Sequence, residues 1–203
     1  SVGISRYPEH GTSAEMLFKN ADAALHRAKA KGSRHYQVYS AEFTTEASRR
    51  VQLESALRQA IDQGAIEVHY QPQIALDGDH LVGVEALARW HHAEWGWVSP
   101  GQFIPVAEES GLVHALGRFV LEQACEQLNR WRSAGCDVGR VAVNISPAQL
   151  EWEELEELVR QRLTVGTSPG ALELEVTEEA FLREPERAAA VLQRLSELGV
   201  CIP

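Results

Sequence analysis

Apolar positions along the chain change their period several times, and each change predicts an element. Ser1–Ile4 opens on an apolar run that reads as the end of a buried strand. Ser13 stands where a helix cap is expected. Leu17, Ala21, Ala24, Leu25 and Ala28 then recur at the three- and four-residue spacing of a helix face. Lys29 and Lys31 suit the negative end of that helix, and Gly32 supplies a left-handed stop. Tyr36–Tyr39 alternates like a short strand. Residues 1–40 therefore read as strand, helix, strand: a piece of an α/β sheet too small to be a domain. Ala41–Gln63 predicts a second helix, with Val51, Leu53, Leu57, Ala60 and Ile61 as its apolar stripe and Gly64 as its end. Its polar first half, Glu42 to Arg50, suggests a helical linker between two units.

From Ile66 onward, strands alternate with helices. Ile66–Gln71 alternates and is expected to stop at Pro72, with Asp77-Gly78-Asp79 as a turn before a strand over Leu81–Trp90. Helices follow over Phe103–Glu109 and Phe119–Arg132. Val141–Ser146 is a strand, with Ser146 capping and Pro147 opening a helix that reads to about Leu163. Ala171–Thr177 is another strand, Glu186–Leu198 another helix, and Val200–Ile202 begins a fifth strand. This order argues for βαβ units and a mainly parallel sheet.

Strands covered on both faces read as nearly unbroken apolar runs. Three strands here break that rule near their C-terminal ends. In Val82–Arg89, period-two geometry sets Gly83, Glu85, Leu87 and Arg89 on one side, against Val82, Val84, Ala86 and Ala88. In Val141–Ser146, Asn144 lies opposite the valines, and in Leu172–Thr177, Glu173 and Glu175 oppose the leucines. Strand C-termini gather at one rim in barrels and doubly wound sheets, and active sites lie there. Two carboxylates and an amide oxygen at such a rim are hard donors that suit Mg²⁺, Mn²⁺ or Ca²⁺. Any one of these residues taken alone reads rather as a solvated or Arg-paired strand residue; three on successive strands at the same end bring the metal reading level with that one.

Composition bounds the alternatives. The chain has 203 residues, 44% hydrophobic and 24% charged, which excludes a disordered, collagen-like or disulfide-framework protein. With 19 Lys and Arg against 29 Asp and Glu, the net charge is −10. That disfavours nucleic acid polymers and anionic membrane surfaces as partners, and an anionic ligand would need local Arg or a metal. Cys125, Cys136 and Cys201 form no CxxC pair and read as ordinary thiols of a reducing, cytoplasmic compartment. No run is long enough for a membrane helix, so no membrane contact is expected from this chain. His91-His92 reads as loop polarity, and Glu151–Glu157 as a solvated helix face. Trp90, Trp95 and Trp97 read as a loop packed on a barrel rim rather than as the floor of a base-stacking pocket. Gly-rich phosphate loops and GxSxG are absent.

Five ordered motifs carry a resemblance: Tyr70-Gln71-Pro72-Gln73, Glu85-Ala86-Leu87-Ala88-Arg89-Trp90, Ser99-Pro100-Gly101-Gln102-Phe103-Ile104-Pro105, Val143-Asn144-Ile145-Ser146 and Leu174-Glu175-Val176-Thr177-Glu178. In order and spacing they resemble the EAL family of cyclic di-GMP phosphodiesterases. Asn20–Leu25 and Arg27-Ala28-Lys29 resemble the C-terminal end of a GGDEF (diguanylate cyclase) domain. The resemblance implies an α/β fold, part of a TIM-like barrel whose first strand is antiparallel, preceded by a strand–helix–strand GGDEF remnant. The implied division is 1–40 for the remnant, 41–51 for a helical linker and 52–203 for the N-terminal part of the EAL domain.

The same resemblance implies hydrolysis of cyclic di-GMP to linear pGpG with two Mg²⁺ or Mn²⁺ ions. By it, Glu85, Asn144 and Glu175 match metal ligands; Gln71, Leu87 and Arg89 match substrate contacts. Glu85, Glu175 and Glu178 are the implied catalytic glutamates, Glu178 by steadying a loop beside the metals. Lys29 matches a phosphate-contacting lysine of the GGDEF family, while Ser33 stands where an arginine is usual. Both ends look like cuts through structure, and the family's aspartate pair lies beyond Pro203. The expectation is therefore a chain of little activity alone, with an open sheet edge through which it could form a homodimer, from a parent that is either a phosphodiesterase or a non-catalytic cyclic di-GMP receptor or interaction module. The parent's own membrane anchoring, if any, lies upstream.

Overall fold

In the computed structural model of the chain, residues 1–30, 35–78, 80–164, 166–177 and 185–203 are described. The expected roles of Lys31, Gly32 and Ser33, and Asp79 of the expected turn, lie outside them. The chain forms two compact units, Ser1–Ala56 and Leu57–Pro203.

In the first unit, β1 (Val2–Ile4) and β2 (Tyr36–Val38) pair in parallel, Gly3 opposite Gln37, with helix α1 (Ala14–Ala30) between them in the chain. This is the predicted strand, helix, strand. The Ser13 hydroxyl accepts from the Met16 N–H at 3.2 Å, so the cap forms as read. Ala24 and Ala28 are fully buried. A Cβ on Gly3 would run into the Ala21 carbonyl and the Leu25 backbone. Glycine is what lets α1 lie flush on β1. The division between the units falls within helix α2 (Ala41–Asp62). Leu53, Leu57 and Ala60 of its predicted stripe are buried, but Val51 is exposed.

The second unit is built on a five-stranded sheet. Its strands are β3 (Ile66–Ile74), β4 (Leu81–His92), β5 (Gly96–Val98), β6 (Arg140–Ile145) and β7 (Leu172–Val176). They run in the order β3-β4-β6-β7, with β5 folded back on β4. The β4–β6 and β6–β7 pairs are parallel. The β3–β4 and β4–β5 pairs are antiparallel, so the sheet is mixed rather than mainly parallel. The first strand of this unit, β3, is antiparallel to its neighbour, as the resemblance implies.

One face of this sheet is apolar. Ile66, Val84, Ala86, Trp90, Val141, Val143, Ile145, Leu172 and Leu174 are all buried. Helices α3 (Pro100–Ser110) and α4 (Val113–Ser133) cover it, burying Phe103 and Ala107 from α3 and Leu116, Leu121, Ala124 and Leu128 from α4. Tyr70 ties β3 to α4. Its hydroxyl donates to the Gln123 carbonyl at 3.1 Å, its ring meets Trp131 edge-on at 4.9 Å, and burial pushes its pKa up to about 12. Cys125 sits in the same layer, where burial raises its thiol to about 11 and keeps it protonated. Among the described residues no helix is long and apolar enough to cross a membrane.

Several expected boundaries move, each for a tertiary reason. Pro72 does not end β3, which runs on to Ile74. The pairing with β4 carries past the proline, with Pro72 opposite Val84 and Gln73 opposite Gly83. His91 and His92 belong to β4, and Gly96–Val98 is a strand, because the chain turns back and pairs His91 with Trp97. Both α3 and α4 begin earlier than their apolar positions suggest. The single helix expected over 147–163 is two: α5 (Pro147–Leu150) and α6 (Leu155–Thr164). Only Glu156 and Glu157 of the acidic run lie in the first turn of α6. Ser146 does stand at the start of α5, but the expected hydroxyl cap does not form: its backbone N–H donates to Gln149 Oε1 at 3.0 Å, while its hydroxyl is buried without a hydrogen-bond partner. After α7 (Pro185–Glu197), the expected fifth strand is present as one parallel bridge between Cys201 and Glu173.

Candidate functional site

The face of the sheet opposite α3 and α4 is polar, and the register states which side chains share it. Directly paired residues point to the same side. Gln71 lies opposite Glu85, His69 opposite Leu87 and Glu67 opposite Arg89. Across the parallel pairs, Glu85 lies opposite Ala142, Glu173 opposite Ala142 from the other flank, and Asn144 opposite Glu175. The alternation read from the three strands is thus the alternation formed, and their C-terminal ends advance toward one rim.

Three predicted residues meet here. The Asn144 side-chain amide donates to Glu85 Oε1 at 2.6 Å. Glu175 is the register partner of Asn144. Its pKa is raised, first by burial and then by the negative charge of Glu85. Two carboxylates that repel each other, with an amide between them, form a site that a cation would relieve. Rotating the Asn144 amide would present its oxygen beside them, and all three donors are hard. The donor set therefore fits a divalent cation of the Mg²⁺ or Mn²⁺ type. Among the described residues no three His, Cys, Asp or Glu side chains form a metal cluster on their own, so the amide of Asn144 is needed to complete the set.

The other predicted residues take neighbouring places. Gln71 flanks Glu85 on β3, exposed on the polar face. Leu87 and Arg89 follow Glu85 along β4 toward the rim, half-buried, and the Arg89 guanidinium donates to the Ala88 carbonyl at 3.0 Å. Glu178 lies outside the described residues.

The site contains residues that the sequence reading passed over. The Gln73 amide donates to Glu175 Oε1 at 3.4 Å. Gln73 is two residues beyond Gln71, so the period-two rule carried past Pro72 finds it. A Cβ on Gly83 would come within 2.9 Å of Arg140 Cγ and 3.0 Å of Gln73 Oε1, so the missing side chain leaves room for both. Below Glu175, Arg140 Nε lies 2.8 Å from Glu173 Oε2, and the Glu173 side chain is only 5% exposed. The two atoms are close but not aligned as a hydrogen bond, so the attraction is mainly Coulombic.

Arg140→Met is expected to destabilise the fold by about 2–3 kcal/mol, because it leaves the buried Glu173 charge without its cation. The figure is at the low end because the Arg140 side chain keeps 41% of its exposure. The double change Arg140→Met with Glu173→Leu should recover to within about 1 kcal/mol of the native stability. Urea denaturation of the two variants checks this. A single variant as stable as the native protein would remove any role for the pair.

Residues 54–202 match the EAL domain family. The chain belongs to that family. Its sheet is therefore part of a TIM-like barrel, and the polar face belongs to the barrel interior. Over all of its 203 residues the chain is 44% identical to an uncharacterized signaling protein of Caulobacter vibrioides. It is 37% identical to MucR, a bifunctional diguanylate cyclase/cyclic di-GMP phosphodiesterase of Pseudomonas aeruginosa, and 40% identical to the cyclic di-GMP phosphodiesterase NbdA of the same organism. The chain spans only 25%, 30% and 26% of the lengths of these three relatives. Among solved structures, the PaMucR phosphodiesterase in complex with c-di-GMP superposes with a TM-score of 0.71 at 39% identity, over 74% of this chain and 62% of that one. The Xanthomonas citri FimX EAL domain in complex with c-di-GMP gives 0.69 at 26% identity, over 78% and 62%.

Proposed function

We propose that the second unit is the catalytic part of a cyclic di-GMP phosphodiesterase, which opens one phosphodiester of the ring to give linear pGpG in a bacterial second-messenger pathway. The observation that carries this reading is the meeting of Glu85, Asn144 and Glu175 on the polar face of an EAL-family sheet. These three residues would hold Mg²⁺ or Mn²⁺, which when bound lowers the pKa of water and neutralises charge on the attacked phosphate.

The chain's own residues do the rest. Arg89 offers a guanidinium to a phosphate, in an otherwise acidic protein that would repel one. Gln71 presents an amide beside Glu85, able to orient a phosphate or a base edge. Leu87 supplies an apolar contact between Glu85 and Arg89. Gln73 holds the Glu175 carboxylate by one oxygen and so orients the other. Glu178 is a further catalytic glutamate in the same proposal. Residues 1–40 we read as the end of a GGDEF domain and 41–51 as a helical linker. Because its substrate is an intracellular messenger, the unit works in the cytoplasm.

The test is direct. The purified full-length protein that carries these residues is incubated with cyclic di-GMP and Mn²⁺ or Mg²⁺, and the products are resolved by chromatography. Conversion to pGpG that stops with a chelator is expected. Binding without conversion under every metal condition would replace this reading with that of a non-catalytic receptor.

A further inference from the structure

Three aromatic rings lie on the polar face with no part in the function proposed above. His91 is two residues beyond Arg89 on β4 and shares its face, and Trp97 on β5 is the register partner of His91. His69 on β3 shares the face through Leu87. Strands β3 and β5 flank β4, since Trp90 pairs with Ile66 on one side and Val98 on the other. Two strand spacings separate them, about 10 Å. Yet the Trp97 and His69 rings lie 5.9 Å apart, and the Trp97 and His91 rings 5.2 Å. The side chains thus reach toward each other over β4 at the rim, near Arg89.

This indole differs from the other two of the segment. Trp90 is buried in the apolar layer, and Trp95 stacks flat on His92 at 3.9 Å. Trp97 meets both imidazoles at steep angles, 76° and 78°, so neither lies flat against it. It remains 60% exposed, and the His69 side chain, held by Glu67 at 3.0 Å, remains 51% exposed. A large, flat, wet ring, braced from two strands, is what stacking on a nucleobase requires.

We propose that Trp97, braced by His69 and His91, is the stacking surface for one purine of the cyclic dinucleotide, and so sets a preference for purine over pyrimidine dinucleotides. This rests on the phosphodiesterase reading of the same site. Larger purine rings share more π-surface with an indole than pyrimidines do, so the residue acts on recognition rather than on the bond-breaking step.

The test uses the full-length protein. Trp97→Ala is expected to weaken cyclic di-GMP binding, measured by calorimetry, by about fivefold or more, and to raise KM similarly while kcat stays within about twofold. Trp97→Phe should keep most of the affinity, and cyclic di-UMP should lose less than cyclic di-GMP in the alanine variant. Three results overturn the proposal: a loss below about fivefold, an equal loss for both dinucleotides, or a fall in kcat with KM unchanged. If Arg89→Ala abolishes binding while Trp97→Ala does not, the proposed function stands and the stacking surface falls. If the native protein binds no cyclic di-GMP at all, both fall together.

Discussion

Glu85→Gln in the full-length protein is expected to lower the rate of cyclic di-GMP hydrolysis about a thousandfold while leaving the fold intact. Glutamine keeps the shape of the side chain and can still meet the Asn144 amide now 2.6 Å from Glu85 Oε1. It loses the negative charge, and with it one of the two carboxylates that make this rim attractive to a divalent cation. Metal ions contribute several kcal/mol to stabilising charge on a phosphate, and about 4 kcal/mol corresponds to a thousandfold in rate. The same change removes a charge that raises the pKa of Glu175. Stability should therefore hold or rise slightly, since repulsion between like charges is relieved. Turnover by product chromatography and unfolding by heat, measured on one preparation, separate the two effects. A variant within tenfold of native turnover would exclude Glu85 from the machinery.

Trp90→Ala is expected to cost about 3–5 kcal/mol of stability, the range for truncating a buried aromatic. The Trp90 ring is 1% exposed and meets Phe103 of α3 edge-on at 5.8 Å, with Trp95 at 6.3 Å and His92 at 5.9 Å. Its backbone is where β3 and β5 both pair with β4. A cavity there would loosen the helix layer and the β4–β5 hairpin together. Because Arg89 is the preceding residue and points to the polar face, weaker ligand binding should accompany the loss. Denaturant unfolding gives the magnitude, and Trp90→Phe should recover roughly half of it by refilling the space. A loss below about 1 kcal/mol would mean that the layer collapses around the gap, against the close packing expected of such an interior.

The site was legible to the extent that it depends on alternation. Period two along 82–89, 141–146 and 172–177 separates Glu85, Asn144 and Glu175 from the apolar residues beside them, and those faces are the ones formed. The start of α5, with Ser146 at the N-cap position and Pro147 following, is equally local. Gln73 was hidden because a proline reads as a strand end, whereas here the pairing with β4 carries past Pro72. Strand β5 was hidden because a three-residue strand has almost no pattern of its own and exists through its pairing with β4. The break between α5 and α6 falls in an acidic stretch with good helix formers. There Trp152 donates to Glu154 at 2.8 Å and lies beneath the Arg118 guanidinium, 5.2 Å from its ring centre. A contact from α4 thus outweighs local propensity.

The order of residues by itself determined the longer elements, the Ser13 cap of α1 and which side of each strand is polar, because these follow from bonds and spacings within a few positions. Only the tertiary structure decided that β6 lies between β4 and β7, which is what brings Asn144 against Glu85 and sets it beside Glu175. It also decided that Trp97 leans toward His69 rather than packing inward. Both outcomes depend on strand order and hairpin pairing, which join residues far apart in the chain, and no local period records them.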